Sequence, residues 1–225
     1  KQGYSPRIQT NLYGHSLFGL SPDSQIAMTV VNAGASRFPM QLWNTSDNSP
    51  RGQSLMLGQP GERFFSGAFS PDATVLLTGS GSLTSAVGEA RLWNTRTGEL
   101  LKEPIQHRGP VQAVAFSPDG RLFATGSGSP QEMFQGQAQL WDGDTARPLG
   151  GPLKHLGIVH NLAFSPDGKT LATCSSTDAV ARLWNTASGE PLGEPLAHDA
   201  GILSVAFSRD SQLVLTTSWD KTARL

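Results

Sequence analysis

SPDGKTLATCSSTDAVARLWN, residues Ser165–Asn185, decides how this chain is read. It opens on a tight turn in which Pro166 presets φ and Asp167 can bond nearby backbone amides. A short β-prone run follows from Leu171 to Cys174, and a further one, Ala181–Trp184, carries the tryptophan. Both runs are too short for helices, and no 3.6-residue apolar period is present.

The same pattern recurs along the chain. Ser-Pro-Asp stands at Ser21, Ser70, Ser117 and Ser165, with a degenerate copy at Ser208-Arg209-Asp210, in steps of 49, 47, 48 and 43 residues. A second marker follows at Leu42-Trp43-Asn44, Leu92-Trp93-Asn94, Leu140-Trp141-Asp142 and Leu183-Trp184-Asn185. Two independent markers in one phase indicate stacked supersecondary units. Val111–Phe116 and Ile202–Phe207 read as first strands ending at the turn. Leu122–Thr125, Leu171–Cys174 and Leu213–Thr217 read as second strands, and Glu190–Leu196 as a polar outer edge strand.

These residues resemble WD40 repeats, with Trp-Asp kept at Trp141-Asp142 and Trp-Asn elsewhere. The resemblance covers about residues 15–225 and implies an all-β fold: a β-propeller of four-stranded antiparallel blades. The expected blades are 15–58, 59–106, 107–153, 154–197 and an incomplete 198–225, with 1–14 as a closing strand or the remnant of a preceding blade. It also implies a structural tetrad in the fourth copy: His155, Thr173 or Ser175, Asp178 and Trp184. His107 and His198 stand ten residues before their own Ser-X-Asp turns, as His155 does, and Asp220 matches Asp178. The His position is Pro60 in copy 2, and the Asp position is Arg37, Val87 and Gln135 in copies 1 to 3.

From turn to tryptophan the fourth copy takes 19 residues, whereas copies 1 to 3 take 22, 23 and 24. The extra residues fall at Asn32–Pro39, Ser80–Glu89 and Ser127–Gln137, between second and third strands. In the family such loops share one rim. Phe38, Leu83, Val87, Met133 and Phe134 are apolar residues set in Gly/Ser-rich sequence there, suited to anchoring in a partner. The alternative is that each folds back over its own blade.

No chemistry is signalled. Three histidines sit at blade-equivalent positions, and His15 and His160 have no ligand at metal spacing. Cys174 reads as a small buried hydrophobe inside a strand. Gly79-Ser80-Gly81 and Gly126-Ser127-Gly128 lack the Lys-Ser/Thr and the helix of a phosphate loop. The turn aspartates come one per copy and cannot pair for acid–base work. Neither a cofactor nor a catalytic residue is expected.

Seventeen Lys+Arg balance 18 Asp+Glu, so no basic stripe argues for nucleic acid. No run of about 18 apolar residues argues for a membrane span. A lone cysteine fits a reducing, cytoplasmic setting. The start at Lys1, without a leader, and the stop at Leu225, one residue short of a fifth Trp, read as a piece of a longer chain. Ring closure stays open between a strand from Arg7–Tyr13, a seven- or eight-bladed parent, and two chains completing one another. The expected function is a protein–protein interaction scaffold with protein partners. The style of Ser165–Thr173 resembles bacterial WD-repeat arrays that dock or sense for attached effector domains. The alternative is a propeller enzyme or a small-ligand or carbohydrate binder using the central channel.

Overall fold

The computed structural model describes residues 15–31, 39–56, 62–84, 86–129, 136–175 and 177–225. The segment Arg7–Tyr13 lies outside them.

Each copy of the markers folds into one antiparallel sheet. Blade 1 contains β1 (His15–Leu20), β2 (Ile26–Val31), β3 (Pro39–Asn44) and β4 (Pro50–Met56). Blade 2 contains β5 (Arg63–Phe69), β6 (Val75–Gly81), β7 (Gly88–Asn94) and β8 (Ile105–His107). Blade 3 contains β9 (Val111–Phe116), β10 (Leu122–Gly128), β11 (Gly136–Asp142) and β12 (Pro148–His155). Blade 4 contains β13 (Val159–Phe164), β14 (Thr170–Ser175), β15 (Val180–Asn185) and β16 (Leu196–Ala197). Blade 5 adds β17 (Ile202–Phe207), β18 (Val214–Ser218) and β19 (Ala223–Arg224).

The Ser-Pro-Asp turn builds each hairpin between first and second strands. Its serine hydroxyl donates to the aspartate at 2.5–2.7 Å in all five copies. The same carboxylate oxygen accepts the amide two residues on, at 3.0–3.1 Å. The residue after the aspartate has positive φ: Ser24, Ala73, Gly120, Gly168 and Ser211.

Two expectations need correction. The outer strand of blade 4 is not a continuous Glu190–Leu196: it is a bridge at Pro191 and then β16. Blade 2 is interrupted in the same way, with a bridge at Leu100 before β8. Every outer pair carries the same two-residue register slip. In blade 3 the Gln139 amide donates to Leu140 O and Leu149 O across that bulge, and Gln41 does the same in blade 1. Blades 2 and 4 have arginines there, which turn to carboxylates instead. The expected blade limits also shift. His107 and His155 close the outer strands β8 and β12 of the preceding sheets, paired with Gly88 and Gly136.

Consecutive sheets pack face to face, their first strands side by side. Leu77, Ala90 and Leu92 of blade 2 meet Val111, Val114 and Phe123 of blade 3. Ala124, Ala138 and Leu140 of blade 3 meet Val159, Leu171 and Trp184 of blade 4. Each blade therefore presents small or aliphatic residues forward and a tryptophan-backed face to its predecessor. Val114 N donates to Ser66 Oγ and Val205 N to Asn161 Oδ1, both at 3.2 Å, linking neighbouring first strands. Close approach at this seam requires glycine: a Cβ on Gly126 would lie 2.8 Å from Val159 O.

Gly126→Ala is therefore expected to lower unfolding free energy by about 1–3 kcal/mol. Gly19→Ala, where a Cβ meets nothing within 4 Å, should stay within about 0.5 kcal/mol. Denaturant unfolding of both variants checks the contrast.

Candidate functional site

One hydrogen bond recurs in each of blades 1 to 4: the third-strand indole N–H donates to a second-strand threonine. Trp43 reaches Thr29 at 2.8 Å, Trp93 reaches Thr78 at 2.9 Å, Trp141 reaches Thr125 at 2.9 Å and Trp184 reaches Thr173 at 2.7 Å. A pleated pair forces this, because indole and hydroxyl leave the same face of adjacent strands. These threonines stand eight residues after the serine of each turn, as does Thr216 in copy 5. That spacing was legible, yet sequence reasoning singled out only Thr173.

In blade 4 the chain of bonds continues. His155 Nε2 lies 2.7 Å from Thr173 Oγ1, and Nδ1 lies 3.2 Å from Asp178 Oδ2. The consistent proton order is Trp184 N–H to Thr173, Thr173 O–H to His155, and His155 N–H to Asp178. Asp178 Oδ2 also accepts from Leu156 N at 3.2 Å and Arg182 at 2.7 Å. Thr173 thus holds the hydroxyl position. Ser175 accepts from Thr177 N at 3.2 Å instead. Burial pushes the Asp178 carboxyl up, but the His155 and Arg182 bonds outweigh it and hold it at about 2. Burial also drives the His155 pKa down, so the ring is neutral near pH 7. Since the His155 backbone belongs to blade 3 and its ring to blade 4, the network joins two sheets.

Copy 5 repeats the arrangement. His198 meets Thr216 and Asp220, each at 2.8 Å, and Asp199 N donates to Asp220. The Thr222 hydroxyl, above all, lowers the Asp220 pKa.

Copies 2 and 3 differ. In blade 3, His107 turns Nδ1 to Ser127 Oγ at 3.3 Å, and its buried Nε2 has no partner among the described residues. Gln135, at the aspartate position, lies outside them. Desolvation lowers the His107 pKa to about 4. Blade 2 replaces the missing pair with residues sequence reasoning overlooked. Arg91 binds Glu89 and donates to Met56 O of blade 1 at 2.9 Å, while Gln106 donates to Glu89 at 2.9 Å.

Of the rim candidates, Phe38, Met133 and Phe134 lie outside the described residues. Leu83 and Val87 are 42% and 41% exposed in the loop between β6 and β7. The loop itself is shorter than the insertion Ser80–Glu89, whose ends are absorbed into the hairpin through the pairs Ser80↔Glu89 and Gly81↔Gly88. Ser127–Gln137 is shortened likewise by Ser127↔Gln137 and Gly128↔Gly136. Cys174 is buried between blades 4 and 5, and desolvation pushes its thiol up to about 12. Among the described residues no three His, Cys, Asp or Glu gather to hold a metal. No described helix is long and apolar enough to cross a membrane.

The profile of the WD domain, G-beta repeat family matches residues 98–142, 150–185 and 189–225, just over half of the chain. The chain belongs to the WD40 repeat family. WD repeat-containing protein 90 of Xenopus tropicalis is 40% identical over 74 residues, covering 32% of this chain and 4% of that protein. Apoptotic protease-activating factor 1 of Homo sapiens is 39% identical over 69 residues, 27% of this chain and 5% of that protein. An uncharacterized WD repeat-containing protein of Synechocystis is 35% identical over 60 residues, 27% of this chain and 16% of that protein. The matched stretches thus span only a small share of these WD40 relatives. WD40 repeats generally mediate protein–protein interaction, and proteins built from them are typically scaffolds.

The WD40 network makes two predictions. Thr173→Val removes acceptor and donor together and should cost about 2–4 kcal/mol, whereas His107→Phe should cost under about 1 kcal/mol. A neutral His107 contributes its full stability above pH 6.5, and that share is lost as pH falls toward 4. Unfolding free energy should therefore drop by on the order of 2–3 kcal/mol across that window, and His107→Phe should flatten the drop. Urea titrations at stepped pH check both.

Proposed function

We propose that this chain is a non-catalytic protein-docking platform that engages a protein partner through the end carrying the extended second-to-third-strand loops. The observation that carries the reading is the exposure of Leu83 and Val87, two large apolar side chains on a loop tip above a hydrogen-bonded hairpin. Apolar groups on a supported rim lose little entropy when they enter a partner's pocket. Family membership supports the same reading. The His155–Asp178–Thr173–Trp184 network and the His198–Asp220–Thr216 set act here as rigidity, since both ring nitrogens of each histidine are held by fixed partners. The buried, protonated Cys174 has no nucleophilic role in it.

The setting we infer is the reducing cytoplasm, with the propeller as the docking or sensing part of a larger bacterial multidomain protein. The match to 16% of an uncharacterized WD repeat-containing protein of Synechocystis supports the longer bacterial parent.

Replacing each of the three insertions by the fourth copy's shorter connection is expected to leave the far-ultraviolet spectrum and cooperative unfolding intact. Proteins captured from a cell extract by the parent chain should be missing from the trimmed one. Capture of the same set by both proteins would refute the rim as the docking surface.

A further inference from the structure

In blades 1 to 4 the turn between third and fourth strands shares one end of the sheet with the Ser-Pro-Asp turn, opposite the long loops. At that end, blade 1 is sealed onto blade 2. Gln53 N donates to Thr97 O at 3.0 Å, Arg51 Nε to Thr95 O at 3.0 Å, and Gln53 Nε2 to Gly98 O at 3.3 Å. Arg51 also donates to Asn44 at 3.2 Å. Gly52, at φ +66°, comes so close that a Cβ would lie 2.5 Å from the Thr97 carbonyl carbon.

The seam between blades 3 and 4 has the same backbone but not the seal. Gly150, at the position of Gly52 and with φ +65°, has nothing within 4 Å of a Cβ. Leu149 replaces Arg51 and is 37% exposed. Thr186 O and Ser188 O, counterparts of Thr95 O and Thr97 O, receive no hydrogen bond from any described residue. Between the walls lies a cleft of about 480 Å³, lined by Leu140, Leu149, Gly150 and the turn Thr186–Gly189, with Asp119 and Asp167 balancing the charges of Arg121 and Lys169 along it. That is the volume range of ligand clefts. Asp142 stands in the place of Asn44, a carboxylate where blade 1 offers its arginine an amide.

We propose that this cleft receives an extended arginine-containing segment of a partner protein, with the guanidinium on the Thr186 carbonyl, as Arg51 sits on Thr95. The chain's own Arg51-Gly52-Gln53 shows what the turn carbonyls select: a planar cation and a main-chain N–H on a strand without bulk between them. Leu149 offers an apolar surface to a neighbouring side chain of the segment. The groove between blades 2 and 3 is a poorer site, because a side chain, Lys102, stands at the position where Gly150 leaves the backbone bare. The proposal extends the docking-platform reading to the opposite end of the propeller and stands independently of the long loops.

The test is a fluorescence anisotropy titration of a labelled peptide, Ser-Pro-Arg-Gly-Gln-Ser-Leu, copied from residues 49–55, with the whole chain. Saturable binding is expected, about 10-fold weaker when the peptide arginine becomes alanine. Leu149→Arg should place a guanidinium in cis, abolish peptide binding and leave or raise the melting temperature. Should that variant not fold, Ala187→Lys, on the exposed turn, sets a like charge beside the site and should weaken binding. The loop-trimmed protein should bind the peptide unchanged even where it loses its captured proteins, which separates failure of this site from failure of the rim. No saturation by about 1 mM protein, equal affinity for the alanine peptide, or unchanged binding by the folded variants would overturn the proposal.

Discussion

Every blade here has two apolar faces, and that single constraint organises the rest. A four-stranded sheet with leucines and alanines on one side and a tryptophan-backed surface on the other cannot stand alone in water. It is stable only when a neighbour covers each face, so stacking is obligatory and its geometry is copied from seam to seam. The glycines that follow the core threonines in blades 2 and 3 exist because the next first strand passes within contact of their backbone. In blade 4 the same position holds Cys174, whose small sulfur fits the seam and is desolvated by it.

Stacking by apolar faces alone leaves blades free to slide, and the polar networks remove that freedom. Trp–Thr bonds fix the second and third strands within a blade. His155 then ties the last residue of one blade's outer strand to the core hydroxyl and turn carboxylate of the next. The copies vary in how completely they do this. Blade 2 substitutes the Arg91–Glu89 pair, and blade 3 leaves a neutral His107 half-satisfied. The polar ties between blades are therefore graded along the chain, and among the described residues the whole Trp–Thr–His–Asp set stands only at the seam between blades 3 and 4.

The two ends of the sheets diverge in character as a result. One end carries the second-to-third-strand loops with exposed Leu83 and Val87; the other carries the tight turns, whose hydrogen bonds are local and repeated. On the turn end, what varies is whether one blade's outer strand reaches its neighbour's turn. Blade 1 reaches with Arg51 and Gln53, whereas blade 3 presents Leu149 and Gly150 and leaves a cleft.

Phase and residue type were enough to read the fold and to single out His155, Asp178, His198 and Asp220, because a repeat writes the same geometric requirement many times. The eight-residue step from turn serine to core threonine was equally available. Tertiary structure alone decided which hydroxyl, Thr173 rather than Ser175, meets the imidazole, since that depends on which face of β14 the ring approaches. It also decided that histidines assigned to one blade pair in the previous one, that Glu89 and Arg91 stand in for an absent tetrad, and that one seam is sealed while another is open. Those outcomes turn on distances of an ångström or two between segments far apart in sequence, which no local pattern encodes.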